Sequence, residues 1–366
     1  MKNISKAALV IFIVFFAILG LFCNQSISMG AAQKGTTVRI AVTPFIDTAL
    51  TLVGIEKGYF SQHKLDVRVV DASWDAQYDL LAAGAVDISM SIMDDLIARD
   101  KNLRKIDRQV VFFLPAWQFL GITFFSNKGF STLDEIRSKG GEGNPIEKFL
   151  AQFKNKKIAF PQGGIYEHAF SKFIHQVGME LSDFNIVNSP LEVGLNGLED
   201  VNVGLAAAAH QQRPEAIRRG YKQAIQAKDL GVFIITGFTA RQSFHTENPD
   251  VLSRFICGWY KTAKYVKDNK KEAYDITRRY IEKRGGQVPS FDEYVDASKF
   301  NIIPVTPKET NELFLESSSP ANWEKYWEGA AANLKNTDKE KAVPNDKTSF
   351  IIDDILNSSS FNCDNY

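Results

Sequence analysis

Residues 54–94 alternate between helical and strand patterns, with turn residues at each junction. Gly58, followed by Tyr59 and Phe60, marks the end of one helix, and residues 66–71 (DVRVVD) alternate as a strand does. A short helix over 76–83 ends at Gly84, and another strand is predicted over 86–91. Such an αβαβ run predicts a mainly parallel sheet with crossover helices on its faces.

The same segment resembles a known family. The phrases KGYF…LDVRVV and LLAAGAVDISMS are similar to recurrent stretches in the N-terminal lobe of ABC-importer solute-binding proteins. These proteins take nitrate, alkylsulfonates, taurine or thiamine-type pyrimidines, and the resemblance covers about residues 36–330. It implies an α/β, two-lobed fold like that of type II periplasmic binding proteins. Each lobe would be a mainly parallel sheet with flanking helices, and two crossings would join the lobes.

The remaining pattern divides the chain between these expected lobes. We expect lobe 1 to comprise residues 36–126 plus 231–336, lobe 2 to comprise 127–230, and 337–366 to be a loosely held tail. Residues 109–125 are β-rich and interrupted by Pro115, which predicts two strands around a bend at a crossing. Further strands are predicted near residues 38–43, 156–160, 184–188, 201–205 and 231–236, and residues 248–336 read as amphipathic helices.

The N-terminus has the pattern of an export signal. Lys2 and Lys6 precede an uncharged apolar run, residues 7–22, and small and polar residues follow it to position 32. We interpret residues 1–32 as a cleaved signal peptide, with an uncleaved anchor as the alternative. Lipidation of Cys23 is disfavoured because Leu21 and Phe22 precede it. The predicted location is periplasmic or otherwise extracytoplasmic.

Charge and cysteine content narrow the function classes. The formal net charge is zero, with 43 basic and 43 acidic residues, so bulk charge gives no support to nucleic-acid binding. After removal of the signal, Cys257 and Cys363 remain. An exported chain permits a disulfide between them. A buried free thiol at Cys257 is the plainer interpretation of its apolar helix, and both possibilities stay open.

Ligands of open parallel sheets bind beyond the carboxyl ends of the strands. The residues that follow the predicted strands, together with those near the crossings, therefore form the predicted ligand site: Phe45, Asp47, Trp74, Asp75, Asp94, Trp117, Gln118, Gln162, Tyr166, Glu167, Glu192 and Phe238.

Acids and aromatics dominate that set, which contains no lysine or arginine. This balance predicts a small, neutral or cationic, nitrogen-rich solute held by charge-assisted hydrogen bonds and aromatic faces. Asp47, Asp75 and Asp94 also stand where helix-capping acids occur. If those acids serve as caps, a sulfonate-like or nitrate-like oxyanion is the alternative ligand.

Enzymatic and metal-dependent functions find little support in the sequence. The five histidines show no close metal-ligand spacing, and His168 and His175 are seven residues apart. A thiamine-pyrimidine synthase would share the fold, but it relies on clustered cysteines, which this chain lacks. We therefore predict no catalytic activity, no cofactor and no metal.

The prediction for the whole protein is a monomeric extracytoplasmic binding component of an ABC importer. It would capture a small molecule by hinge closure of two lobes. Its partners would be a transmembrane ABC permease and the associated ATPase. A sensor partner that reports to a membrane receptor is the alternative, and the sequence does not separate the two.

Overall fold

A computed structural model describes residues 35–45, 48–74, 76–105, 109–162, 164–209, 212–284, 288–337, 347, 354–357 and 361–363. Residues 36–366 form one compact unit. The predicted signal peptide, residues 1–32, lies outside the described residues.

The first sheet has six strands in the order β11-β4-β10-β3-β1-β2. Its core is parallel, because β1 pairs in parallel with both β2 and β3. β10 runs antiparallel between β3 and β4, so the sheet is mixed. The strands are β1 (Thr36–Val42), β2 (Leu65–Asp71), β3 (Ile88–Ile92), β4 (Val110–Phe119), β10 (Ile234–Arg241) and β11 (Asn301–Ile302).

Helices cover both faces of this sheet. Before the first crossing they are α1 (Thr51–Glu56), α2 (Tyr59–Gln62), α3 (Ala76–Ala83) and α4 (Met93–Lys105), with a 3-10 turn at Thr48–Leu50. After the return they are α11 (Gln242–Glu247), α12 (Pro249–Asp268), α13 (Lys270–Lys283), α14 (Phe291–Ser298), α15 (Pro307–Thr310) and α16 (Trp323–Thr337), with a π-helical turn at Asn311–Leu315.

The second sheet has five strands in the order β7-β6-β8-β5-β9. β6 pairs in parallel with β7 and β8, whereas β5 runs antiparallel to β8 and β9. The strands are β5 (Thr123–Ser126), β6 (Lys157–Phe160), β7 (Asn185–Asn188), β8 (Val203–Ala208) and β9 (Lys222–Gln226). Its helices are α5 (Leu133–Lys139), α6 (Pro145–Ala151), α7 (Ile165–His175), α8 (Leu191–Gly197), α9 (Arg213–Arg218) and α10 (Ala227–Leu230), with a 3-10 turn at Leu181–Asp183.

The first crossing between the sheets comes earlier than predicted. β5 belongs to the second sheet, because Thr123 pairs with Ala208 of β8 and Gln226 of β9. The chain therefore crosses over residues 120–122, and the predicted lobe boundary at 126/127 is wrong by about one short strand. The return crossing lies over residues 231–233, next to the predicted boundary.

An aromatic core joins the first sheet to α12. Trp117, Phe238, Phe255 and Trp259 are fully buried, and the ring of Phe238 lies 4.9 Å from Trp259 and 5.0 Å from Phe255. The Trp117 and Trp259 rings are 5.9 Å apart. Aromatic packing at these distances is favourable beyond the area it buries. It fixes α12 on the sheet.

The described parts of residues 337–366 are anchored on lobe 1, which corrects the prediction of a loosely held tail. Cys363 forms a disulfide with Cys257 of α12. In the short helix α17 (Asp354–Asn357), Ile355 is buried in the main core and Asp354 Oδ1 lies 3.2 Å from His245 Nε2. The pattern of α12 predicted a buried cysteine, and Cys257 is buried, but it is not a free thiol.

Candidate functional site

Both sheets direct the carboxyl ends of their parallel strands toward the junction between the lobes. β4 ends at Phe119, just before the first crossing. β5 begins directly after this crossing, and its first residue pairs with Ala208, the last residue of β8. β1, β2 and β3 end at the same edge as β4, because β10 runs antiparallel to both β3 and β4. This is the edge at which α/β sheets bind ligands, and we call the space between the two edges the cleft.

Asp94 lies at the centre of the contacts across the cleft. It is in the first turn of α4, only 8% exposed, and its Oδ1 is 3.6 Å from Nδ1 of His168 on α7 in the other lobe. The hydroxyl of Tyr326 on α16 donates to Asp94 Oδ2. His168 Nδ1 is buried and makes no hydrogen bond to any residue that the structure describes. Asp94 therefore holds together three segments, one of them from lobe 2.

Burial raises the pKa of the Tyr326 phenol well above its ordinary value of 10.0, and the nearby carboxylate of Asp94 raises this pKa further. The phenol therefore stays protonated at any physiological pH. It acts as a fixed hydrogen-bond donor to Asp94.

Asp95 is engaged within lobe 1. Trp74 Nε1 donates to Asp95 Oδ2 at 2.7 Å, and the hydroxyl of Tyr78 approaches the same oxygen at 3.4 Å. The ring of Phe45 lies 6.1 Å from Trp74. The guanidinium of Arg99 lies over the Tyr78 ring at 4.4 Å. Phe45, Trp74 and Asp95 thus form one connected group at the ends of β1, β2 and β3. The selection of residues that directly follow predicted strands, which we call the strand-end rule, placed Phe45 and Trp74 at these ends.

Lobe 2 presents the N-terminus of α7. The helix begins after Gly164. Because glycine has no side chain, this N-cap residue accepts no hydrogen bond from the first turn through a side chain. Glu167 lies in this turn and is 6% exposed, Tyr166 is half-buried, and the backbone N–H of Gln162 donates to Asn188 Oδ1 at 3.0 Å. The helix dipole favours an anion at such a place.

Arg213, the first residue of α9, is not among the site residues predicted from the sequence. Its guanidinium carbon lies 4.2 Å above the ring of Phe300, which belongs to the lobe 1 segment at the crossing. Nε and Nη1 are buried without a hydrogen-bond partner among the described residues. Burial lowers the pKa of this arginine, and the charge of Asp296 opposes that shift. The predicted strand ends at residue 205, whereas β8 continues to Ala208, and Arg213 lies five residues beyond that end.

Two predicted site residues lie in the core instead. Trp117 and Phe238 are 0% exposed and pack beneath α12, because each is inside its strand rather than beyond the strand end. They are therefore removed from the candidate set. Gln118 is 8% exposed and lies one residue from the end of β4, beside the crossing.

The remaining predicted residues are only partly described. Asp47 and Asp75 lie outside the described residues. Glu192 is in α8, but its side chain is not among those described.

Within the described ranges, no three His, Cys, Asp or Glu side chains are grouped so that they could hold a metal ion. None of the helices in these ranges combines the length and the apolar character that a membrane span requires.

Comparisons with known proteins agree on one fold. The NMT1/THI5-like family model matches residues 141–273. The comparison with curated protein sequences gave no match.

The periplasmic sulfonate-binding protein SsuA from Methylobacillus flagellatus KT is similar with a TM-score of 0.62 at 16% identity, over 87% of this chain and 92% of that one. The aliphatic sulphonate binding protein SsuA from Escherichia coli has a TM-score of 0.59 at 12% identity, and the match covers 82% of this chain and 90% of that one. The nitrate-binding protein NrtA from Synechocystis PCC 6803 has a TM-score of 0.54 at 19% identity, over 85% and 92%. The chain therefore has the two-lobed α/β fold of periplasmic binding proteins, and residues 141–273 within it match the NMT1/THI5-like family.

Proposed function

We propose that the protein is the extracytoplasmic solute-binding component of an ABC import system. It captures a small solute carrying an oxyanion group, such as a sulfonate, in the cleft between its lobes. The observation that carries the proposal is the approach of Asp94 and His168 at 3.6 Å, because it brings side chains of both lobes to one point at the carboxyl ends of the strands. A ligand touching both sides would favour the closed arrangement.

The charges of the described residues support an oxyanion rather than a cation. Asp94 accepts from Tyr326 and Asp95 accepts from Trp74, so both carboxylates already have internal donors. The positive end of the α7 dipole and the two guanidinium nitrogens of Arg213 that have no partner among the described residues attract an anion. The names of the similar structures, which are binding proteins for sulfonates and nitrate, point the same way.

A nitrogen-rich, neutral or cationic solute is the second candidate, because Asp94 is a buried acid in the cleft. Its carboxylate would have to exchange Tyr326 or His168 for a ligand donor. Binding rather than catalysis is proposed for either solute, with a permease and its ATPase as partners and the monomer as the working form.

A thermal-shift screen decides between the two ligand classes. Methanesulfonate, taurine and nitrate form one panel, and guanidine, an alkylamine and a pyrimidine form the other. A ligand present at about 100 times its dissociation constant should add about 2.7 kcal/mol to the free energy of unfolding. Stabilisation by the second panel alone would refute the oxyanion proposal.

Two arginine variants test whether the oxyanion binds beside Arg213. We expect Arg213→Ala to lose most of the oxyanion-induced shift, since it removes an unpaired donor at the lobe junction. Arg219→Ala is the matched control, because Arg219 immediately follows the same helix and is paired with Glu215 at 2.7 Å. Equal loss in both variants would show that the effect is one of general charge and not of the cleft.

A further inference from the structure

A cavity of about 300 Å³ lies within lobe 1, and none of the residues that line it belongs to the cleft described above. Its walls come from the end of α12, the start of α13, α14, β11 and the 3-10 turn before α1. This volume is at the lower end of the range of small-molecule sites. It suits a ligand of a few carbon atoms rather than a large cofactor.

The walls and the mouth of the cavity differ in chemistry. Leu50, Val266, Tyr294 and Ile303 contribute apolar surface. Lys267 and Lys270 also line the cavity and are exposed, so their ammonium groups remain in water at its mouth. An apolar chamber with cations at its entrance is complementary to a molecule with an apolar body and one negative charge.

Neither lysine is neutralised by an acid in the described part of the chain. Lys267 forms no ion pair with a described residue, and Lys270 makes only a 3.5 Å contact with Ser298 Oγ. The wall also contains Asn301 Oδ1, which is buried and accepts no hydrogen bond among the described residues. Buried acceptors ordinarily have a donor. A guest or an ordered water in the cavity would supply it.

We propose that this cavity is a second ligand site, specific for a small amphiphilic monoanion such as a medium-length alkyl carboxylate. The alkyl chain occupies the apolar chamber, and the carboxylate lies between Lys267 and Lys270. An ordered water beside the alkyl chain would donate to Asn301 Oδ1. The site is formed by lobe 1 alone, so it does not depend on closure of the cleft or on the identity of the cleft ligand.

Calorimetric titration of the full chain with hexanoate tests the proposal. We expect dissociation constants near the millimolar range, and at least tenfold weaker binding of hexanol, which lacks the charge. Lys267→Glu combined with Lys270→Glu should weaken hexanoate binding at least tenfold, because both exposed cations become repulsive. Lys261→Glu is the matched control, since Lys261 is an exposed lysine of the same helix that does not line the cavity.

The cleft variant Arg213→Ala keeps this test separate from the proposed function. We expect it to leave hexanoate binding unchanged, while Ile302→Trp at the exposed rim of the cavity should reduce it by narrowing the entrance. Loss of hexanoate binding in Arg213→Ala would assign the ligand to the cleft and overturn the inference. Absence of binding at about ten times the expected millimolar dissociation constant, or equal effects of Lys261→Glu and the double variant, would overturn it as well.

Discussion

Asp94 occupies a position for which the local sequence allows two roles. An acid in the first turn of a helix is favoured by the helix dipole, and α4 begins with two such acids, Asp94 and Asp95. The sequence therefore allowed either a capping role or a ligand contact. In the fold, Asp94 is instead the acceptor for Tyr326 and the neighbour of His168. These partners come from segments more than 70 residues away in the chain, which no local pattern reveals.

Removal of the Tyr326 hydroxyl should change how stability depends on pH. The folded protein keeps this phenol protonated above pH 10, whereas the unfolded chain loses the proton near 10.0, so the stabilising contribution is present below pH 10 and declines above it. We expect Tyr326→Phe to cost roughly 1–3 kcal/mol at pH 8, because buried Asp94 loses a donor. Between pH 10 and 11, the free energy of unfolding should fall in both proteins. The fall should be smaller in the variant than in the parent, by up to about 1.4 kcal/mol.

Urea unfolding at several pH values measures both effects. A variant whose stability falls between pH 10 and 11 as steeply as that of the parent would contradict the assignment of the raised pKa to Tyr326. Tyr78 and Tyr260 also have raised pKa values because they are buried, so a residual alkaline slope is expected in the variant.

The strand-end rule found those cleft residues that directly follow well-predicted strands. Phe45 and Trp74 lie where it put them, in contact with each other at the ends of β1 and β2. Trp117 and Phe238 were chosen because they lie near the predicted crossings, but they are buried inside β4 and β10. The Pro-interrupted stretch gave no sign of where β4 would end, and β10 extends beyond the strand predicted over 231–236. The strand-end rule did not reach Arg213, which lies five residues beyond the end of β8, and the small residues at 206–208 (AAA) do not read as a strand although they form that end.

At the scale of the elements, Pro115 has an unexpected environment. The sequence predicted a break between two strands at this residue, yet β4 runs continuously from Val110 to Phe119. The ladder is irregular instead, because Thr236 pairs with Trp117 while Gly237 pairs with Pro115. Such a bulge accommodates the missing N–H of proline inside a sheet. Proline therefore marked a local irregularity and not the end of the strand.

Gly237 is required by this bulge, and Gly237→Ala should destabilise the protein. A Cβ at this position would lie 2.2 Å from the carbonyl oxygen of Leu114 and 2.4 Å from the Phe112 ring. Since Leu114 contributes backbone from a central strand, it can move little, and we expect a cost of roughly 1–3 kcal/mol. The loss is measured as a lower urea midpoint with an unchanged slope.

Gly329→Ala is the matched control for this substitution. Gly329 is exposed inside α16, and a Cβ there meets no atom within 4 Å. The same chemical change should stabilise the protein by about 0.5–1 kcal/mol, because alanine favours the helix. Equal effects of the two substitutions would show that the close approach of β4 and β10 does not constrain position 237.

Prediction of the elements was most reliable where the hydrophobic period was regular. The helix predicted over 76–83 is confirmed with the same bounds as α3, and the strand predicted over 66–71 starts one residue earlier, at Leu65. β9 was not predicted, because residues 222–226 (KQAIQ) are polar and short. The antiparallel course of β10 and β5 could not be read from periodicity, which carries no strand direction.

On the scale of the whole molecule, contacts between the lobes extend beyond the cleft. Arg218 of α9 pairs with Glu293 of α14, and Arg213 stacks on Phe300 just before β11. These contacts lie beside the crossing, where the backbone N–H of Leu120 donates to Phe300 at 2.8 Å. They favour the arrangement in which the lobes touch.

Ligand binding should make the molecule more compact. We expect small-angle scattering to give a smaller radius of gyration at saturating cleft ligand, because contacts from both lobes stabilise the closed state. Arg218→Ala should enlarge the radius without ligand, since it removes an ion pair that joins the lobes. A radius that is the same with and without ligand in both proteins would count against hinge closure.

The disulfide between Cys257 and Cys363 gives the molecule a mechanical asymmetry. The bond spans 106 residues, which include α13–α16 and β11. When the two ends of the chain are pulled apart, this whole stretch is bypassed by the bond and bears no tension while the bond is intact. Full extension should therefore be shorter in the oxidised protein, by roughly 350–380 Å at about 3.3–3.6 Å per residue. Single-molecule pulling before and after reduction measures that difference, and equal contour lengths would mean that the bond is not formed. When the chain is pulled, the part of lobe 1 that precedes Cys257 would therefore be extended. The part between Cys257 and Cys363 would stay closed by the disulfide and would not be extended.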